Sequence, residues 1–128
     1  MNKRLKKKYH KGSWLTIGVE ADIEFRYDNP ESNMDLIFED LFYFIIDNLS
    51  KKYMFTFSLE FLQDTVKMDL LIERHGAVIS EEEWQNIVKI MSKKENFKCV
   101  INSVWIDMYS CKKVHVNTVK QLSSRKKR

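Results

Sequence analysis

A single α+β domain, four strands and two helices in the order β-α-β-β-α-β, is predicted by three observations. Apolar residues recur at every second position in several separate stretches. They recur at helical spacing in two others. The 128 residues contain one Pro and three Gly, so regular elements are joined by short connections.

From Leu15 to Tyr27 the apolar residues are Leu15, Ile17, Val19, Ala21, Ile23, Phe25 and Tyr27, with polar residues or Gly between them. A period of two is a strand with one buried face. "YDNPESN" is a loop by its chemistry, because Pro30 disfavours helix at Asn29. Ser32 or Asn33 is placed to cap a helix from about Met34, in which Met34, Ile37, Phe38, Leu41, Ile45 and Leu49 keep helical spacing. Phe42, Phe44 and Ile46 widen that stripe, so the helix is predicted to be heavily buried.

Alternation resumes with Tyr53, Phe55, Phe57, Leu59 and Phe61, and again with Val66, Met68, Leu70 and Ile72. The polar "LQDT" between them predicts an antiparallel hairpin. "RHGAV" breaks the pattern, and "SEEEW" reads as a capping box in which Ser80 and Glu83 bond each other's backbone N–H. Trp84, Ile87, Val88 and Met91 form the core stripe of this second helix, and Lys93 and Lys94 suit the negative end of its dipole. A last strand is predicted from about Phe97 to Tyr109. Its apolar phase slips near Asn102 and Ser103, from Phe97, Cys99 and Ile101 to Val104, Ile106 and Met108, which predicts a bulge and makes Cys99 a core residue. This order of elements is that of a ferredoxin-like sandwich, a four-stranded antiparallel sheet with both helices on one face and strands one and three in the middle.

Charge divides the chain into three parts. Residues 1–13 hold six cationic side chains and residues 111–128 hold seven, neither with an acid, whereas residues 14–110 hold all 18 acids and nine bases. We therefore expect a basic N-terminal arm (1–13), a single acidic domain (14–110) and a flexible basic C-terminal tail (111–128). Flexible Lys and Arg segments suit a nucleic-acid backbone, where binding releases counterions and needs no reading of bases. The candidate contacts are Lys3, Arg4, Lys6, Lys7, Lys8, His10 and Lys11. A nuclear address is the other meaning of such a run.

Other chemistries find less support. Two Cys and three scattered His fall at no metal-ligand spacing, so no metal site is expected, and nothing implies a cofactor. No apolar run reaches the roughly twenty residues of a membrane span, the basic start lacks a signal peptide's apolar region, and the expected location is cytoplasmic. His75 reads as a turn residue and His115 as part of the tail; Trp84 and Trp14 read as packing residues, while Tyr9 suits packing or stacking equally. The open face of the first strand should show Thr16, Gly18, Glu20, Asp22, Glu24 and Arg26, and the third should add Lys67, Asp69, Leu71 and Glu73. Carboxylates there would repel phosphate where base-stacking aromatics would be needed. Side chains two apart share a face about 6.5–7 Å apart, so Glu20, Asp22 and Glu24 with Asp69 form the one arrangement open to acid–base use.

The opening "KRLKKKYHKGSW" and the strand after it resemble the start of the YggL family, small bacterial proteins associated with the large (50S) ribosomal subunit. Arg4, Leu5, Lys6, Lys7, Lys8 and His10 match the family's basic run, and Gly18 leads the strand. "GAVISEEEWQNIVKIM" is similar to the family's second helix through Gly76, Ser80, Glu81, Glu82, Ile87 and Val88, and "VWIDMY" to its aromatic, Asp-containing last strand. The chain departs from the pattern at Ser13-Trp14, in lacking a Gly-rich hairpin near residues 56–66, and in adding residues 111–128. The resemblance implies a non-enzymatic accessory protein that binds the large subunit, its RNA and its proteins, in assembly, with no small-molecule substrate. Two readings from other classes stand beside it: a protein-interaction or dimerisation module using the open acidic sheet face, and an enzyme using Glu20, Asp22 and Glu24.

Overall fold

The computed structural model describes residues 15–126. They form an α+β fold with one antiparallel sheet and three helices. In chain order these are β1 (Ile17–Arg26), a 3-10 turn (Pro30–Asn33), α1 (Met34–Asn48), β2 (Met54–Phe61), β3 (Thr65–Glu73), α2 (Glu81–Ser92), β4 (Phe97–Asp107), β5 (Lys112–Val114) and α3 (Val116–Lys126). The sheet order is β2-β3-β1-β4-β5, so β1 and β3 lie inside it.

The odd residues of β1, from Ile17 to Phe25, are buried against Ile37, Leu41 and Ile45 of α1 and Trp84, Ile87 and Met91 of α2 in one cluster. The capping box forms as expected: Ser80 Oγ accepts from Glu83 N at 3.0 Å, and Ser80 N donates to Glu83 Oε1 at 3.4 Å. Trp105 crosses the core from β4, and its indole N–H donates to the Ile79 carbonyl at 2.7 Å. Gly18 fits where a side chain would not. A Cβ there would lie 2.6 Å from the Ile72 carbonyl oxygen on the neighbouring strand.

Several expectations are corrected. The sheet has five strands rather than four and the fold three helices rather than two, because residues 112–126 are built into the body. Asp107 Oδ1 accepts from Tyr109 N at 2.8 Å and turns the chain, Cys111 takes a positive φ of 61°, and β5 then pairs with β4. Val119 of α3 is fully buried in the same core. Three residues of strand and a lysine-rich helix offer too little periodicity to stand out from a polar tail.

In β4 the bulge predicted near Asn102 lies at Ile101, and a second lies at Lys98; each is skipped in the pairing with β1. The added slip at Lys98 inverts the predicted phase beyond Phe97, which keeps its expected side. Phe97, Val100, Ser103 and Trp105 stand opposite the core residues of β1, while Cys99, Val104 and Ile106 stand opposite Glu24, Glu20 and Gly18 on the other face, so Cys99 is not a core residue. Thr16 is buried rather than displayed, its hydroxyl accepting from Gly76 N at 2.9 Å.

α1 is much less buried than its sequence predicts. Only a narrow stripe of Ile37, Leu41 and Ile45 is covered, while Leu36 is 67 % and Phe38 45 % exposed, and Met34 and Ile46 are exposed too. Asn33 stands at the N-cap position, but its side chain makes no capping bond; its amide donates to the Asn29 carbonyl instead, and the 3-10 turn leads the chain in.

Candidate functional site

Backbone register places the predicted carboxylates on one face, the face away from the helices. Leu71, Glu20 and Val104 form one row across β3, β1 and β4; Asp69, Asp22 and Asn102 form the next, and Lys67, Glu24 and Cys99 the third. β2 continues these rows with Thr56, Ser58 and Glu60. The rows contain no aromatic side chain, so the middle of this face offers nothing on which a base could stack.

Electrostatics are uneven across it. Burial raises the Glu20 carboxyl above its ordinary value, and Asp69, through repulsion and a hydrogen bond, and Asp22 push it further, with Lys113 opposing. Glu24 is neutralised by Lys98 at 3.3 Å, the lysine that the second bulge sets outside the ladder. Among the described residues, no group of three or more His, Cys, Asp or Glu is arranged to hold a metal ion. The face thus holds a carboxylate cluster around Glu20 and one ion pair, with the free thiol of Cys99 opposite Glu24 and no His in its rows.

Two further polar clusters tie the helices to the sheet. The Tyr53 hydroxyl donates to Glu83 Oε2, which also accepts from Arg74 at 2.7 Å, with Lys52 at 3.9 Å. Burial works against the charge of Glu83, but the bonds from Tyr53 and Arg74 outweigh it and hold the carboxyl below its usual value. A shallow cleft of about 440 Å³ opens beside this cluster, lined by Lys52, Tyr53, Arg74, Glu82 and Asn86 among others. At the other end, the Tyr27 hydroxyl donates to Asp40 Oδ2 at 2.6 Å and Lys94 reaches the same oxygen at 2.8 Å. Glu83 is engaged through both oxygens and Asp40 through Oδ2, so each cluster works as a strut. The capping box pointed to Glu83, but its bond to Tyr53, 30 residues away, leaves no mark in a local pattern.

The candidate contacts Lys3, Arg4, Lys6, Lys7, Lys8, His10 and Lys11 lie outside the described residues, as do Tyr9 and Trp14. The C-terminal bases fall partly inside. Lys112 and Lys113 are exposed on β5, and Lys120 of α3 pairs with Glu81 at 3.3 Å. β5 thus puts positive charge on the margin of an otherwise acidic sheet. His75 sits in the turn closed by Ala77 N to the Arg74 carbonyl at 3.1 Å, and His115 is exposed just before α3.

No family model, no curated protein and no solved structure matches the chain. No helix among the described residues is long and apolar enough to cross a membrane.

Proposed function

We propose that this protein is a non-enzymatic accessory factor of the large ribosomal subunit, bound to ribosomal RNA through its basic terminal segments and acting in subunit assembly in the bacterial cytoplasm. One observation carries the reading: cationic side chains are concentrated, without a single acid, in residues 1–13 and 111–128, while the region between them holds all 18 acids. A surface charged only for solubility mixes the two signs. Segments of one sign at the ends of a body of the other are suited to clasping a polyanion while the body stands off from it.

The resemblance of the opening run and of the second helix to the YggL family supports the choice of the ribosome among polyanions. The fold belongs with the same reading, as a ferredoxin-like sandwich extended by β5 and α3; the antiparallel order β2-β3-β1-β4, with α1 and α2 sharing one core, supports that assignment. Lys3, Arg4, Lys6, Lys7, Lys8, His10 and Lys11 contact phosphates, and Lys112 and Lys113 add to them from β5.

Cosedimentation with large subunits tests this. Binding is expected to fall on the order of a thousandfold between about 50 and 200 mM salt, as several phosphate contacts require. Removing residues 1–11 is expected to abolish it, while changing Glu20, Asp22 and Glu24 together to their amides leaves it intact. Unchanged binding after the deletion, or turnover of a small substrate that the triple change silences, refutes the proposal.

A further inference from the structure

We infer that the protein forms a two-fold homodimer by pairing the β2 edge of one chain antiparallel with the β2 edge of a second copy. The inference is independent of the RNA reading and starts from the backbone. β2 hydrogen-bonds only to β3 among the described residues, and the register between them runs unbroken from Met54 opposite Glu73 to Phe61 opposite Val66. Leu62 N donates to the Thr65 carbonyl, so in an antiparallel ladder the even-numbered residues of β2 bond to β3. Phe55, Phe57, Leu59 and Phe61 therefore turn their N–H and C=O groups outward, a free edge four residues deep.

Natural edges of this kind are blunted by lysine, proline, a bulge or a covering element. Among the described residues, β2 has none of these. Its eight residues, MFTFSLEF, contain one charge, Glu60, and its core-side residues are only half covered. Above the edge lies the uncovered flank of α1. Phe38 packs on Phe57 with ring centroids 4.8 Å apart, Phe42 lies 5.8 Å from Phe55, and Phe38 stays 45 % exposed.

Charge selects the occupant. Lys51 and Lys52 precede the strand, while Glu60 lies near its end and Asp64 follows it. An antiparallel copy brings the basic end of each edge against the acidic end of the other, twice by symmetry. With the two-fold axis at Ser58, the exposed Met54 (44 %) faces the exposed Leu62 (43 %), and the turn holding Lys51 and Lys52 approaches the hairpin turn holding Asp64 of the second copy. Phe55 then meets Phe61, and Phe57 meets Leu59, on the aromatic side. All four outward residues fall in hydrogen-bonded pairs in that register. The sheet becomes ten strands wide and closes there, because each chain has one such edge among the described residues.

The full chain is expected to sediment and scatter light as a dimer in the micromolar range. Ser58→Lys, a change on the exposed solvent side of β2, sets two like charges face to face at the axis and is expected to weaken association about tenfold. Ser58→Cys is expected to give a disulfide-linked dimer on mild oxidation, where Thr56→Cys and the unaltered chain do not. A chain that stays monomeric throughout that range, whatever else its edge binds, overturns the inference. So does a dimer in which Ser58→Cys fails to link; this arm decides the matter even if Ser58→Lys disturbs folding.

Discussion

At one margin of the sheet β5 runs for three residues, two of them exposed lysines, and α3 follows after a single residue. At the other, β2 runs for eight residues with half-covered aromatic side chains and a single charge. Both are edge strands of the same sheet, yet only the first carries the features that keep edges from pairing. The same lysines that shield β5 belong to the basic segment that we propose binds RNA, so one composition would serve both ends there. β2 is instead finished by shape and apolar surface, which water leaves unsatisfied and a second strand satisfies. The contrast teaches that the margins of a sheet can be given different partners by a few residues each.

The largest effect is expected where the shielded margin is anchored. Val119 is fully buried and holds α3 to the core. Val119→Asp places an unpaired carboxylate there and is expected to cost about 3 kcal/mol or more in chemical denaturation. Amide exchange of β5 should rise with it while that of β2 does not, which separates the two margins directly.

A smaller effect is expected at the start of β2, where Tyr53 holds Glu83. Tyr53→Phe removes a hydrogen bond to a charged group and should cost about 1–2 kcal/mol at neutral pH. The pH dependence has a definite sign. The Glu83 carboxyl titrates lower in the folded chain than its ordinary value, so its contribution is complete above that value and is lost as pH falls through the folded one. Tyr53→Phe should therefore flatten the acid limb of the stability curve, and equal loss at every pH would remove Tyr53 from this role.

The smallest change lies in the middle of the open face. Burial, Asp69 and Asp22 raise the Glu20 carboxyl, so the folded state disfavours its ionisation. That penalty is fully present above the folded value and fades as pH falls toward the ordinary carboxylate range. Glu20→Gln should raise Tm slightly at neutral pH, by a stability gain of about 0.5 kcal/mol or less because solvent screens the site, and by nothing in acid.

Much of the fold was legible because it repeats locally. The alternation in β1, the β2–β3 hairpin and the Ser80–Glu83 box are each written in residues at most a few positions apart, and each stands where expected. The burial of α1 was not legible, since Met34, Phe38 and Ile46 continue an apolar stripe whether or not anything covers it. β4 misled for a related reason. A bulge shifts the side chains by one residue and exchanges the two faces, and two bulges in one strand defeat a reading by parity. The carboxylates of the open face were legible as a set, but the bonds that hold Glu83 and Asp40 join residues 30 and 13 positions apart.

By itself the sequence determined the strands and helices of residues 17–107, the apolar face of the central strand and the separation of basic ends from an acidic middle, because periodicity and charge are local properties of a chain. Tertiary structure alone decided that residues 112–126 complete the sheet, which side of β4 meets the core, and that α1 leaves aromatic surface over an open edge. Those outcomes depend on which surfaces meet, and a stripe of apolar residues has the same spacing whether it is covered by its own chain or left for another.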